Sequence, residues 1–173
     1  MRVCVLFLAA MLAGCMTVDI PTDPQAFSLE ANRLSQLPRP QAVALKNGYT
    51  GDATLRLKMS SNTWVIDQKQ LTETALAMLG RAMQQQGLTL DPQAGKTVTL
   101  RARVLSTRFR TMPFVAMISV RLALNASFGD GSSTYIEADN SSPGGAQRAY
   151  DGAVLFALNQ LVADPKFTAY LNR

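Results

Sequence analysis

Hydrophobic and polar positions follow two periods along this chain, and the switches between them mark the elements. In Gln41 to Lys46, Val43 and Leu45 alternate with their neighbours, and in Thr54 to Ser60, Leu55, Leu57 and Met59 alternate with Thr54, Arg56 and Lys58. Period two means side chains on opposite faces, so both segments read as strands. Asn47-Gly48 and Gly51-Asp52 punctuate the stretch between them as turns, and the two strands could close a hairpin. From Thr97 to Arg110 a longer strand puts Val98, Leu100, Ala102 and Val104 on one face and Thr99, Arg101 and Arg103 on the other. Val115 to Phe128 follows, apolar at even positions from Ala116 to Phe128. Gly129-Asp130-Gly131 is a tight turn into a third strand, Ser132 to Asp139. The result is a sheet with one apolar and one wet face.

The period then changes to 3.6. Asp67 can accept from the free amides of a first turn, with Gln70 completing a capping box, and Leu71, Ala75, Met78, Leu79, Ala82 and Met83 recur at helical spacing up to Gly87. Met78 and Met83 lie on that stripe and read as core. After a polar, glycine-rich loop, Asn140 to Gly145, a second amphipathic helix runs from Ala146 to Ala163. Asp164-Pro165 interrupts it, and Phe167, Tyr170 and Leu171 predict a terminal turn folded back on the domain. The fold class is α+β: a two-layer sandwich, mainly antiparallel sheet, with two helices packed on one face.

The N-terminus obeys neither period. Arg2 precedes a ten-residue apolar run, Val3 to Leu12, which is half of the roughly 20 residues a spanning helix needs and suits a signal-peptide core. Leu12-Ala13-Gly14-Cys15 resembles a bacterial lipobox. That resemblance implies signal peptidase recognition through Leu12, Ala13 and Gly14, a mature chain beginning at Cys15, and diacylglycerol on the Cys15 thiol with a further acyl chain such as palmitate. Each buried CH₂ contributes roughly 0.8 kcal/mol, so two or three chains anchor firmly. Met16 follows in place of an aspartate, which implies the outer membrane, with the domain in the periplasm. The chain thus divides into a signal peptide over residues 1–14, a lipidated cysteine and proline-bearing tether over 15–40, and a single domain over 41–173. Pro21, Pro24, Pro38 and Pro40 stiffen the tether.

Composition narrows the chemistry. At 173 residues, 47% hydrophobic and 17% charged, the chain has room for one globular domain. It contains no histidine, and its two cysteines are Cys4, lost with the signal peptide, and Cys15. That excludes a Ser-His-Asp triad, a Cys-His dyad and a histidine zinc site. The net charge of +5 falls by one with Arg2, too dilute a basic surplus for nucleic acid. No cofactor or metal motif stands out.

The sequence also resembles the YajG-like family of small Gram-negative lipoproteins. The resemblance rests on the lipobox, on Ala82-Met83-Gln84-Gln85-Gln86-Gly87-Leu88, and on Leu161-Val162-Ala163-Asp164-Pro165-Lys166-Phe167. It implies an outer-membrane lipoprotein and brings no activity with it. Auxiliary lipoproteins of envelope transport systems share a similar order of elements.

Arg101 and Arg103 form the candidate binding pair, a cradle for phosphate, carboxylate, glycan or a protein partner; the plainer reading is a solvated sheet face. Arg121 should be neutralised by Glu137 and Asp139 across the hairpin. Asp139 and Asp151 flank the glycine loop and could in principle serve acid–base work, with Asp151 expected to face water. Gly144-Gly145 reads as a surface turn, and Trp64 and Tyr49 as core or rim aromatics. The expectation is a non-enzymatic, membrane-anchored envelope protein that works through protein contacts. The alternative is an accessory subunit of a lipid or lipopolysaccharide transport system, binding lipid or an inner-membrane partner.

Overall fold

The computed structural model describes residues 17–19, 42–59, 62–143 and 145–173. The lipobox residues Leu12 to Cys15 lie outside the described residues, as does most of the span read as a tether.

In chain order the elements are β1 (Thr17–Asp19), β2 (Ala42–Asn47), β3 (Thr54–Met59), β4 (Asn62–Asp67), α1 (Gln68–Gln85), β5 (Thr89–Leu90), β6 (Lys96–Met112), β7 (Val115–Phe128), β8 (Ser133–Ser142), α2 (Ala146–Ala163) and α3 (Pro165–Asn172). The main sheet has the order β5-β2-β6-β7-β8, and a second, smaller sheet the order β1-β4-β3. The fold is the expected α+β sandwich, with α1 and α2 against one face of the main sheet.

The meander β6-β7-β8 is antiparallel, as the alternation requires. The rest of the sheet is not. β2 lies parallel to both β5 and β6, with Val43 beside Lys96 and Asn47 beside Leu100. The hairpin expected between β2 and β3 therefore does not form. β3 pairs instead with β4, a strand the alternation does not reveal, because Trp64, Val65 and Ile66 run on without polar interruption. Thr17–Asp19, within the span read as a tether, pairs parallel with β4, Val18 beside Trp64.

Helix α1 begins and ends where its caps dictate. The Asp67 carboxylate accepts from the Lys69 and Gln70 amides at 2.8 and 3.0 Å. At the far end Gly87 takes φ 82°, and the Leu88 and Gly87 amides donate to the Met83 and Gln84 carbonyls at 3.0 and 2.9 Å. This is a Schellman closure, with Leu88 buried as its apolar clasp. Thr72 Oγ1 and Gln68 Oε1 accept from the Ala102 and Val104 amides, so α1 covers the edge of β6 beyond the end of β2.

α2 is buried more completely than its amphipathic pattern suggests. It lies between β7 and β8 on one side and α1 and α3 on others. Every residue from Ala149 to Val154 is buried, Asp151 included at 1% exposure. This corrects the expectation that Asp151 faces water, and the crowding of α2 on several sides is the reason. Opposite it, the Asn140 amide donates to the Arg148 and Ala149 carbonyls at 3.1 and 3.0 Å. Asn140 sits in the space a side chain at Gly152 would need.

α3 is an eight-residue helix opened by Asp164 and Pro165. It returns Tyr170 to the start of β6. The Tyr170 hydroxyl accepts from the Thr97 and Gly129 amides at 2.7 and 3.2 Å and lies 3.1 Å from the Thr97 carbonyl. Its ring stacks on Phe128.

Candidate functional site

The wet face of the main sheet carries the chemistry. Up to Val104 the odd residues of β6 point to it, as alternation predicts. Between Val104 and Ser106 the register against β7 shifts, so that Leu105 is an extra residue, a β-bulge. The bulge exchanges the faces. Thr107 now points to the helices, its hydroxyl 2.6 Å from that of buried Tyr150, and Arg108 joins Arg101 and Arg103 on the wet side. A strict period of two would have put Arg108 inward. Val104-Leu105, two apolar residues in succession, was the signal available in the sequence.

Arg101 and Arg103 are exposed on this face. The Arg101 guanidinium donates to the Gly48 carbonyl at 2.6 Å and stands over the Tyr49 ring, 4.8 Å from its centroid. Gly48 is pressed against β6, where a Cβ would lie 3.0 Å from the Leu100 carbonyl oxygen. The Tyr49 hydroxyl donates to the Ala102 carbonyl at 3.2 Å, and partial burial pushes its pKa up against the opposing pull of Arg101 and Arg103. Tyr49 is therefore a rim residue, and half-buried Trp64 packs on the core.

Arg121 meets Glu137 as the hairpin register demands, with Nε 3.0 Å from Oε2, and lies directly across from Asp139. Glu137 also accepts from the Tyr135 hydroxyl at 2.7 Å, a partner sequence reasoning missed. That hydroxyl, then Arg121, hold the Glu137 carboxyl below its usual range, so it stays ionised. Tyr135 is raised in turn, chiefly by the same hydrogen bond.

Two hollows open on this face. One, of about 380 Å³, is lined by Gly48, Thr99, Arg101, Asn125, Ser127 and Ser133. The other, of about 190 Å³, lies among Ser106, Arg108, Ser119, Arg121, Asp139 and Ser141. Both are polar and shallow, able to receive a carbonyl, carboxylate or phosphate from guanidinium groups. Asp139 borders the second hollow, whereas Asp151 belongs to α2 and is buried on the other side of the sheet. The two aspartates are not brought together. Among the described residues no group of three metal-ligating side chains forms, and no helix is long and apolar enough to cross a membrane.

No family model and no curated protein matches the chain. Some solved structures are similar to it at low identity. A Xanthomonas campestris protein of the DUF330 family is 10% identical, with 90% of this chain and 95% of that one covered and a TM-score of 0.46. A minor lipoprotein from Acinetobacter baumannii is 12% identical, with 76% and 92% covered and a TM-score of 0.35. A hypothetical protein from Chlamydia trachomatis is 11% identical, with 77% and 96% covered and a TM-score of 0.33. The YajG-like resemblance thus rests on the residues quoted for it.

Gly145, with φ 106°, is the N-cap of α2 and supplies no side chain to cap it. Among the described residues β8 forms one edge of the main sheet, opposite β5.

Proposed function

We propose that the chain is a lipid-anchored, non-enzymatic envelope protein, held through acylated Cys15 at the periplasmic side of the outer membrane, and that it works by docking another protein. The observation that carries the docking is the β8 edge. Ten residues long, Ser133–Ser142 pairs with β7 along one side and, among the described residues, ends the sheet on the other. Its outward residues Tyr135, Glu137, Asp139 and Ser141 are exposed. An edge of this length offers a row of backbone donors and acceptors that an extended segment of a partner can complete, while the side chains beside it set specificity. The lipobox and the YajG-like residues support the anchor.

A photo-crosslinking residue in place of Tyr135, used in cells and followed by mass spectrometry, tests the docking. Capture of one envelope protein in near-stoichiometric yield is the expected result, and an inner-membrane transport component as that protein would make the chain an accessory subunit. Capture of only lipid, or of nothing, overturns the docking. Cys15→Ser tests the anchor separately: the variant should lose its acyl mass and no longer pellet with membranes.

A further inference from the structure

The β6–β7 hairpin outgrows the sheet that holds it. β2 leaves β6 at Leu100, and β8 leaves β7 at Ile118, yet β6 and β7 continue to pair with each other down to Met112 and Val115. The overhang is a two-stranded arm closed by Pro113-Phe114. Its end is apolar and bare: Phe114 is 101% exposed and Val115 39%, and half-exposed Phe109 stands at the base of the arm. Arg108 and Arg110 stand exposed behind the tip. At about 3.3 Å per residue, Arg110 lies about 10 Å back from the turn. No acidic residue occurs anywhere from Lys96 to Phe128.

We propose that this arm dips into an anionic lipid surface, with Phe114 at the acyl boundary, the Arg110 side chain reaching the phosphates, and Arg108 above the headgroups, where its charge adds longer-range attraction. The depth fits, since interfacial elements bury about 5–10 Å and a headgroup layer is about 6 Å thick. The backbone also fits. Cross-strand pairing continues to the last pair before the turn, and the outer edges of the two strands keep their free amides and carbonyls within the polar headgroup layer. A convex tip with one fully exposed aromatic ring offers no groove to a protein ligand, and an all-cationic flank complements phosphate. The nearest acids on the wet face, Glu137 and Asp139, belong to β8 beside Arg121. This rests on the membrane-anchored reading and extends it: the acyl chains hold the protein to the bilayer, and the arm fixes which way the β8 edge faces.

The test uses the full chain isolated from membranes and reconstituted in vesicles of phosphatidylethanolamine and phosphatidylglycerol, with phosphatidylcholine vesicles in parallel. Phe114→Trp adds a reporter at a fully exposed site, and the parent chain, with Trp64 alone, supplies the baseline. The added emission should shift to the blue and be quenched by brominated acyl chains, less so in phosphatidylcholine. Arg108→Glu with Arg110→Glu should abolish the quenching in the anionic vesicles. In the chain made with Cys15→Ser, Phe114→Ser should weaken vesicle binding about ten- to a hundredfold. An added emission that stays water-like and open to iodide overturns the proposal. So does one shielded in native membranes but not in vesicles, which would assign the arm to a protein partner. The mass of the isolated chain reports acylation independently, so failure of the anchor and failure of the arm are distinguishable.

Discussion

The two ends of β6 belong to one strand and could hardly be held more differently. At Lys96 to Leu100 the strand has β2 on one side and, from Val98, β7 on the other, with Tyr170 bonded to Thr97 and the Lys96 amine donating to the Leu171 carbonyl at 2.8 Å. Past the Leu105 bulge, among the described residues only β7 is hydrogen-bonded to it along the ladder. Both ends carry apolar side chains, but Val98 and Leu100 are fully enclosed while Phe109 is half exposed. The comparison teaches that hydrophobicity along this strand serves two ends: cohesion where neighbours cover it, and availability where they do not.

Substitutions at the two ends should separate these roles. Leu100→Ala should cost about 2–5 kcal/mol in chemical denaturation, as a cavity in a closed core does, whereas Leu105→Ala should cost about 1 kcal/mol or less. Similar losses at both positions would break the comparison.

The next effect lies where the bulge turns Thr107 inward. Burial pushes the Tyr150 hydroxyl up to about 12 from an ordinary value of 10.0, and the Thr107 hydroxyl opposes that only in part. The folded-state value is the higher one, so the neutral phenol's stabilisation is complete below pH 10 and is lost as pH rises toward 12. The loss is on the order of 2–3 kcal/mol. Denaturation midpoints between pH 9 and 12 should fall for the parent chain and flatten in Tyr150→Phe (about the span over which the phenol titrates).

Tyr170→Phe removes the hydroxyl shared by the Thr97 and Gly129 amides, and should destabilise by about 1–3 kcal/mol. Phe114→Ser, at the free end, should leave stability within about 0.5 kcal/mol. Arg101→Glu with Arg103→Glu should keep cooperative thermal melting, since both side chains lie on the wet face; a broad, non-cooperative melt would contradict that placement.

What the sequence shows of this fold depends on how local the cause is. The caps of α1, the meander and the Arg121–Glu137 pairing all follow from neighbours in sequence or across a tight turn, and were legible. The parallel setting of β2 was not, because its partners β5 and β6 lie far along the chain and alternation carries no information about which strand sits beside which. β4 escaped notice because three apolar residues in a row mimic neither period. The bulge at Leu105 escaped because one inserted residue changes the face of all that follow. Asp151 was misplaced for another reason: burial of α2 depends on α3 and α1 as well as the sheet, and one helix's pattern does not report a third neighbour. On the wet face the arginines were legible, and Tyr135 as a partner of Glu137 was not.

The position of β2 has a consequence in time. A chain that emerges N-terminus first presents Ala42–Asn47 well before Lys96–Met112, the strand it must lie beside. The meander can close early, through short loops, but the sheet's third interior strand waits for a contact of long sequence separation, which slows folding. Until that contact forms, the first half of the chain has no completed core. The place of β2 in the sheet is thus settled only once the second half of the chain has arrived.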